Sequence, residues 1–414
     1  MCINNPNNTK EITMPQRKIL IIGAGASGLM AAIWAARGGA HVTILEGNDR
    51  PGRKLLASGN GKCNLTNLTQ EPSCYRGTDP QYLWQIIRRF DADQTIAFFT
   101  GLGLYPKSRD GWIYPCTEQA ETVLKLLLLE AEHLGVRIKT REEVQSISKT
   151  EDGLTVQTKT WNYSADAVIA ACGSPASAVR GSSDTAVVIA EAIGQPYIPF
   201  MPALVPLHVR GDYAKKWAGV RIQGAVSLVI DGVIQMQEAG NVQLADYGIS
   251  GIPIFQISRF AVRAVREAHR EVQVILDLVP HLSEAELKGR LEMQQASAPW
   301  KTVRQLFCGL LPEQLIPVFI QKKADIATAV KAVKQIRLHV TDAASGRFAQ
   351  VSSGGIVTAG LDENLQSRYL PGLYFTGEAV DADGACGGYN LQWAWSSGYV
   401  AGTSAAAKKE CRTK

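Results

Sequence analysis

The hydrophobic pattern opens on a short unbroken run, KILII at 18–22, of the kind that a strand buried on both faces requires. A small-residue apolar stretch, LMAAIWAARGG, follows and predicts a helix closing at a glycine pair. HVTILE then returns to strand and ends on Glu46. Residues 80–104 are helical in pattern (YLWQIIRRF, then DQTIAFFTGLG), and ETVLKLLLLEAEHLG at 121–135 spaces its apolar residues for a helix that stops at Gly135. VRIKTREEVQSISKT and GLTVQTKTWNYSADAVIAACG alternate as strands do, so a β-meander is expected to lead back into the first sheet. One more helix is expected over 181–195.

The pattern changes at PYIPFMPALVPL, where prolines 196, 199, 202 and 206 exclude a helix and mark a domain boundary. From there the pattern is β (ALVPLHV, AVSLVIDG, NVQLADYG, VQVILDLV), interrupted by one helix, SRFAVRAVREAHRE. HLSEAELKGRLEMQQ through KKADIATAVKAVKQ is helical, and IRLHV at 336–340 returns to strand. GLYFT at 372–376 is a late strand, and YNLQWAWSSGYVAG a late helix. The expected fold class is therefore α/β. A Rossmann-like domain is formed discontinuously by 18–195 and 346–414. A β-rich substrate domain, 196–280 with 336–345, is inserted in it and carries a helical subdomain at 281–335.

Chemistry enters between the first two strands. GAGASG places Gly23, Ala24, Gly25, Ala26, Ser27 and Gly28 in a strand-to-helix turn. The first glycine permits the tight turn, the second the approach of a pyrophosphate, the third close packing of helix on strand. Glu46, 18 residues beyond Gly28, stands where an acid accepts ribose hydroxyls and repels a 2′-phosphate. Beyond it, GNDRPGRKLLASGNGKCNLTN (47–67) is a basic, glycine-rich loop that a plain nicotinamide site does not need. A longer dinucleotide with a flavin tail does, which makes FAD the expected cofactor.

Three stretches, GAGASGLMAA, GRKLLASGNGKCNLTN and GLYFTGEAVDADGACGGYNLQWAWSSG, resemble the HI0933-like flavoproteins, a family that also takes in BaiN-type reductases and aminoacetone oxidases. IPFMPALVPL and YGISGIPIFQISR match as well, so the resemblance spans nearly the whole chain past residue 17. It implies a two-part flavin fold in which the first unit holds the ADP half and the late strand–loop–helix covers the flavin. Gly47, Arg53, Lys54, Ser58, Gly59 and Asn60 of the basic loop are then cofactor-binding candidates, with the backbone at Val144 near the adenine. In the late loop the candidates are Gly377, Glu378, Asp381, Gly387, Gly388, Asn390 and Leu391. Gly387 and Gly388 are expected to let the backbone approach the flavin. Asn390 is read as a helix cap, a flavin contact or both, and Ser397 as lying on the far side of that helix. Cys172 and Ser174 depart from the family, which often has Thr and Gly there.

Composition narrows the function classes. With 46% hydrophobic and 20% charged residues the chain reads as an ordinary soluble protein, and no apolar run reaches the roughly 18 residues of a membrane span. The first 17 residues are polar and Asn-rich, without the apolar core of a secretory signal, and are expected to be a disordered leader on a cytoplasmic protein. Eight cysteines (2, 63, 74, 116, 172, 308, 386 and 411) form no CxxC, and six histidines form no HxH or HExxH, so neither a redox dithiol nor a metal site is expected. Cys63 and Cys386 are either redox-active thiols or packing residues, and packing is favoured because no partner cysteine is near in sequence.

A net charge of +5 permits an anionic partner without demanding one. Arg259, Arg263, Arg266 and Arg270 recur at helical spacing, but Glu267 and Glu271 interleave, so a solvated face is favoured over a nucleic-acid surface. The resemblance to the HI0933-like flavoproteins implies hydride transfer between flavin and a small organic substrate, with NAD(P)H-linked reduction of an activated C=C bond as the favoured form. The alternatives are an amine oxidase of the aminoacetone type using O2, and a flavin-containing nucleic-acid-binding protein. With a single GxGxxG, NAD(P)H would be a transient donor. No catalytic acid or base is singled out by spacing.

Overall fold

The KILII run forms the middle strand of a five-stranded sheet. A computed structural model describes residues 16–407 apart from 152, 178, 180–182 and 212. Most of the expected leader, Cys2 and Cys411 therefore lie outside the described residues. The strand order is Leu373–Phe375, Ala167–Ala170, Lys18–Ile22, His41–Glu46 and Arg137–Thr140, and every pairing is parallel. Each of these strands except the outer Arg137–Thr140 is almost wholly buried, which is why the sequence shows runs rather than alternation.

Two helices pack together over this sheet, Ala26–Arg37 after the glycine turn and Tyr389–Ala406 near the end of the chain. They approach closely because Gly398 and Gly402 face the first helix. A Cβ at these positions would lie 2.6 Å from the Ser27 carbonyl oxygen and 2.4 Å from that of Ala31. The small residues read in ASGLMAAIWAAR serve the same contact. The meander Val144–Thr150, Gly153–Thr158 and Asn162–Ala165 forms a separate antiparallel sheet that leads into the strand at 167.

The proline-rich stretch is itself a strand, Tyr197–Ala203, paired antiparallel with Val351–Ile356. Outgoing and returning chains thus run side by side. Between them lies a closed six-stranded antiparallel barrel, in order Leu207–Val209, Gly248–Gly251, Val233–Ala245, Arg221–Ile230, Val272–Asp277 and Ile336–Ala343. Short helices between 284 and 334 join its last two strands and share its core. One helix, Ile252–Arg266, packs against the barrel through Ile254, Ile257, Ala261 and Val262. It starts six residues before the expected SRFAVRAVREAHRE, because Gly251 and Pro253 set its first turn, and it stops before Arg270.

Candidate functional site

The carboxyl ends of neighbouring parallel strands open onto a cleft of about 370 Å³, the place where such sheets receive ligands. Ile22, Leu45, Glu46 and Ala171 line it from the strand ends, with Gly23 and Gly25 from the turn. Gly47, Arg53, Lys54 and Val144 add to its walls, as do Cys172 and Ser174.

The three turn glycines do different things. A Cβ on Gly23 would lie 2.6 Å from the Ala171 carbonyl oxygen, and one on Gly28 only 2.0 Å from that of Gly23. Gly25 is extended (φ −82°, ψ −168°), and nothing lies within 4 Å of its Cβ position. The first and third glycines let the protein close on itself, while the second keeps the cleft wall open. No side chain caps the helix that starts here, so the amides of its first turn are not taken up by a cap and could serve an anionic ligand. Ala24, Ala26, Ser27 and Gly28 build the turn without lining the cleft.

Glu46 is buried and already bonded. Its Oε2 accepts from Ala24 N at 2.8 Å, and its Oε1 from Asn48 N at 2.8 Å and Asn48 Nδ2 at 2.7 Å. It ties the glycine turn to the end of its own strand, and an ionised carboxylate retains further lone pairs for a ligand donor. Arg53 pairs with Asp49, yet its Nε is buried without a partner. Lys54 Nζ reaches Glu378 Oε2 at 2.5 Å and Ser174 Oγ at 3.2 Å, and Ser174 Oγ donates to the same Glu378 oxygen at 2.5 Å. Residues from the basic loop, the turn after the 167 strand and the late loop thus meet at the cleft. Ser58, Gly59 and Asn60 do not join them. They form a tight turn with Gly59 and Asn60 left-handed and exposed, outside the cleft lining.

The late loop departs from expectation in its glycines. A Cβ on Gly388 would lie 2.6 Å from the Thr66 carbonyl carbon, and one on Gly387 3.1 Å from the Trp112 ring. The missing side chains make room for protein. The GNGKCNLTN stretch fills that room: Asn67 Nδ2 donates to Gly387 O at 3.1 Å, and Thr66 Oγ1 to Gln392 Oε1 at 2.6 Å. Trp395 Nε1 donates to Leu65 O at 3.0 Å. Two of the matching stretches are therefore one packed unit.

The last helix starts at Tyr389 with Gly388 as its N-cap (φ +97°), so Asn390 is no cap. Its side chain instead clamps Gly384, accepting from N at 2.8 Å and donating to O at 3.0 Å. Leu391 packs partly buried against the core. Ser397 is not on a far side either. It is fully buried and accepts from Gly377 N at 2.9 Å, while Trp393 Nε1 donates to Gly377 O at 2.9 Å. Asp381 is fully buried, with Oδ2 accepting from Thr78 N at 2.8 Å and Oδ1 unpartnered.

Burial pushes the thiols of Cys63 and Cys172 up to about 12 and that of Cys386 up to about 11, which keeps all three as inert thiols at neutral pH. The arginines are each answered by an acid: Arg263 by Glu267 at 3.0 Å, Arg266 by Asp342 at 2.8 Å and Arg270 by Asp231 at 2.5 Å. Arg259 is buried and bonds Asp383 at 2.7 Å, across the junction of barrel helix and late loop. Arg76 lies outside every motif and Asp383, though inside the late glycine-rich stretch, is not singled out by the sequence; the burial of Asp383 and the unpartnered atoms of both reveal them. Among the described residues no cluster of His, Cys, Asp and Glu is arranged to hold a metal, and no helix is long and apolar enough to cross a membrane.

A family model described as the HI0933-like protein Rossmann domain matches residues 17–404. The 3-dehydro-bile acid delta(4,6)-reductase of Clostridium scindens is 39% identical over 405 residues, 94% of this chain and 99% of that protein. Ribosomal RNA dihydrouridine synthases of Escherichia coli and Haemophilus influenzae are 28% and 27% identical. They cover 92% and 93% of this chain and 96% and 97% of their own.

Proposed function

From the premise that this chain belongs to the HI0933-like family and is an FAD-dependent oxidoreductase, we propose that it reduces an activated C=C bond in a small organic substrate, with NAD(P)H as a transient electron donor. The observation that carries the reading is the 39% identity, across nearly all of both chains, to a protein named as a delta(4,6)-reductase. The cleft fits the cofactor. Gly25 and the uncapped helix start would hold its pyrophosphate, Glu46 its ribose, and the backbone near Val144 its adenine. Arg53 Nε, buried without a partner, and Lys54 are cations suited to its phosphates. Gly377, Glu378 and Asp381 would border the ring-bearing half. Bound FAD supplies the hydride, and the protein supplies orientation and charge.

The test is anaerobic. Protein that releases FAD on denaturation should have its flavin bleached by NADH or NADPH, then reoxidised by a 3-dehydro bile acid carrying 4,6 double bonds. Flavin that amines reduce and nicotinamides leave oxidised would overturn the reading in favour of an oxidase.

A second reading, reduction of a uridine in ribosomal RNA, is favoured by the names of the two relatives at 28% and 27% identity. It uses the same bond chemistry on a polyanion. The acid-paired state of Arg263, Arg266 and Arg270 weighs against it, because paired cations release few counterions on RNA binding. A salt-dependent gel shift with ribosomal RNA separates the two.

A further inference from the structure

Arg76 and Asp383 are direct cross-strand partners on the short ladder that ties the late loop to Tyr75–Arg76. Opposite charges in that position normally pair. Among the described residues, however, no hydrogen bond or ion pair joins their side chains, and each keeps a buried polar atom without a partner: Arg76 Nη1 and Asp383 Oδ2. Asp381 Oδ1, two residues away, is a third. Buried polar atoms are nearly always satisfied, so three orphans in one cluster mark a place built for a polar ligand.

The cluster sits where the two units meet. The barrel helix reaches the late loop twice, through Arg259 Nε to Asp383 Oδ1 at 2.7 Å and through Gln256 Oε1, which accepts from Cys386 N at 2.8 Å. Phe260 of the same helix lies under both guanidinium groups, 5.3 Å from Arg76 and 5.9 Å from Arg259. Asp383 is thus fixed through one oxygen while its other is buried without a partner, in a loop whose Glu378 bonds Lys54 of the cleft wall.

We propose that Asp383 is the proton donor of the reduction, and that Arg76 holds the oxygen of the carbonyl that activates the double bond. This rests on the reductase reading above. With bound, reduced FAD as the source of hydride for one carbon of the bond, the displaced electron pair would move onto the carbonyl oxygen, where the Arg76 guanidinium would stabilise it. As the carbonyl re-forms, the adjacent carbon takes a proton from the Asp383 carboxyl group. The substrate would then have gained a hydride and a proton, two hydrogens in all, and Asp383 would be left as a carboxylate beside Arg259, to be reprotonated from solvent.

The surroundings suit an acid. Burial raises Asp383 to about 6, against the opposing pull of Arg259 and Arg76 and with added repulsion from Asp381. Arg263 on the barrel helix and Glu238 on the barrel strand face the same cluster. A donor whose protonation changes near neutral pH is one that can both give and regain its proton.

The test uses holoenzyme and its Asp383→Asn and Asp383→Glu variants. Asparagine keeps an acceptor for Arg259 and removes only the acid. FAD content and reduction of the bound flavin by dithionite should match wild type in both. Anaerobic reoxidation by the 3-dehydro-4,6-diene bile acid should slow about a hundredfold in Asp383→Asn and partly recover in Asp383→Glu. In wild type that rate should fall as pH rises through about 6, as the acid form is lost, and infrared difference spectra should show a buried carboxyl titrating there that Asp383→Asn lacks. An Asp383→Asn protein that reoxidises at the wild-type rate, or keeps the titrating carboxyl, overturns the assignment alone. Wild-type reduced flavin that ignores the probe overturns the reductase reading, and the donor role with it.

Discussion

The chain has two glycine-rich turns, each running from a strand of the parallel sheet into one of the two helices packed over it, and they use glycine differently. In the first, Gly25 borders open space and two other glycines meet the protein's own backbone. In the second, Gly377, Gly387 and Gly388 all meet protein: the Ser27 hydroxyl at 2.5 Å, the Trp112 ring at 3.1 Å and Thr66 at 2.6 Å. A missing side chain makes room, and composition does not say for what. Of these six glycines, Gly25 alone has open space rather than protein at its Cβ position.

The largest expected effects fall where backbone meets backbone. Gly28→Ala forces a methyl group to within 2.0 Å of the Gly23 carbonyl oxygen inside a buried turn. Its cost should reach or pass the upper end of the roughly 1–3 kcal/mol typical of overpacking, seen as a lowered denaturation midpoint or insoluble protein. Gly388→Ala combines a left-handed backbone with the Thr66 contact, and should cost about 2–3 kcal/mol by the same measurement. Both variants should lose FAD as a consequence of lost structure. A Gly388→Ala protein of wild-type stability that nevertheless lacked FAD would mean that this glycine serves the cofactor after all.

Gly25→Ala is the opposite case. Its backbone is extended and its Cβ position empty, so protein stripped of FAD should melt as wild type does. FAD affinity should fall about tenfold or more, about 1.4 kcal/mol, because the methyl group enters the space that the pyrophosphate would use. Full affinity in this variant would move the phosphates elsewhere in the cleft.

The same contrast shows what was legible in the sequence. KILII, the glycine turn and Glu46 are neighbours in sequence as in space, so the pattern of types carries the geometry. The late strand, loop and helix were legible as elements, but the partners of their glycines were not, since Thr66 and Trp112 lie some 320 and 275 residues away in the chain. The arginines between 259 and 270 follow the same rule. Interleaved glutamates hinted at a neutralised face, but Asp383, Asp342 and Asp231 lie 124, 76 and 39 residues from the arginines they answer. Asp383 escaped for the same reason, because an acid becomes remarkable only when a second unit buries it.

The mildest of the packing changes tests the part of the late loop nearest the first turn. Ser397 lies on the buried face of the last helix, where its hydroxyl donates to Trp393 O at 2.6 Å and accepts from Gly377 N at 2.9 Å. Gly377 itself sits against Ser27, so this hydroxyl holds the late turn onto the helix of the first. Ser397→Ala adds no bulk and leaves the Gly377 amide buried and unbonded, which should cost about 1–2 kcal/mol of stability. The Trp393 bond to Gly377 O remains, so the turn should loosen rather than open. Hydrogen exchange at the Gly377 amide should quicken more than at Leu373, whose strand the substitution does not touch. Equal exchange at both amides would show that the Trp393 bond alone holds the late turn to the first.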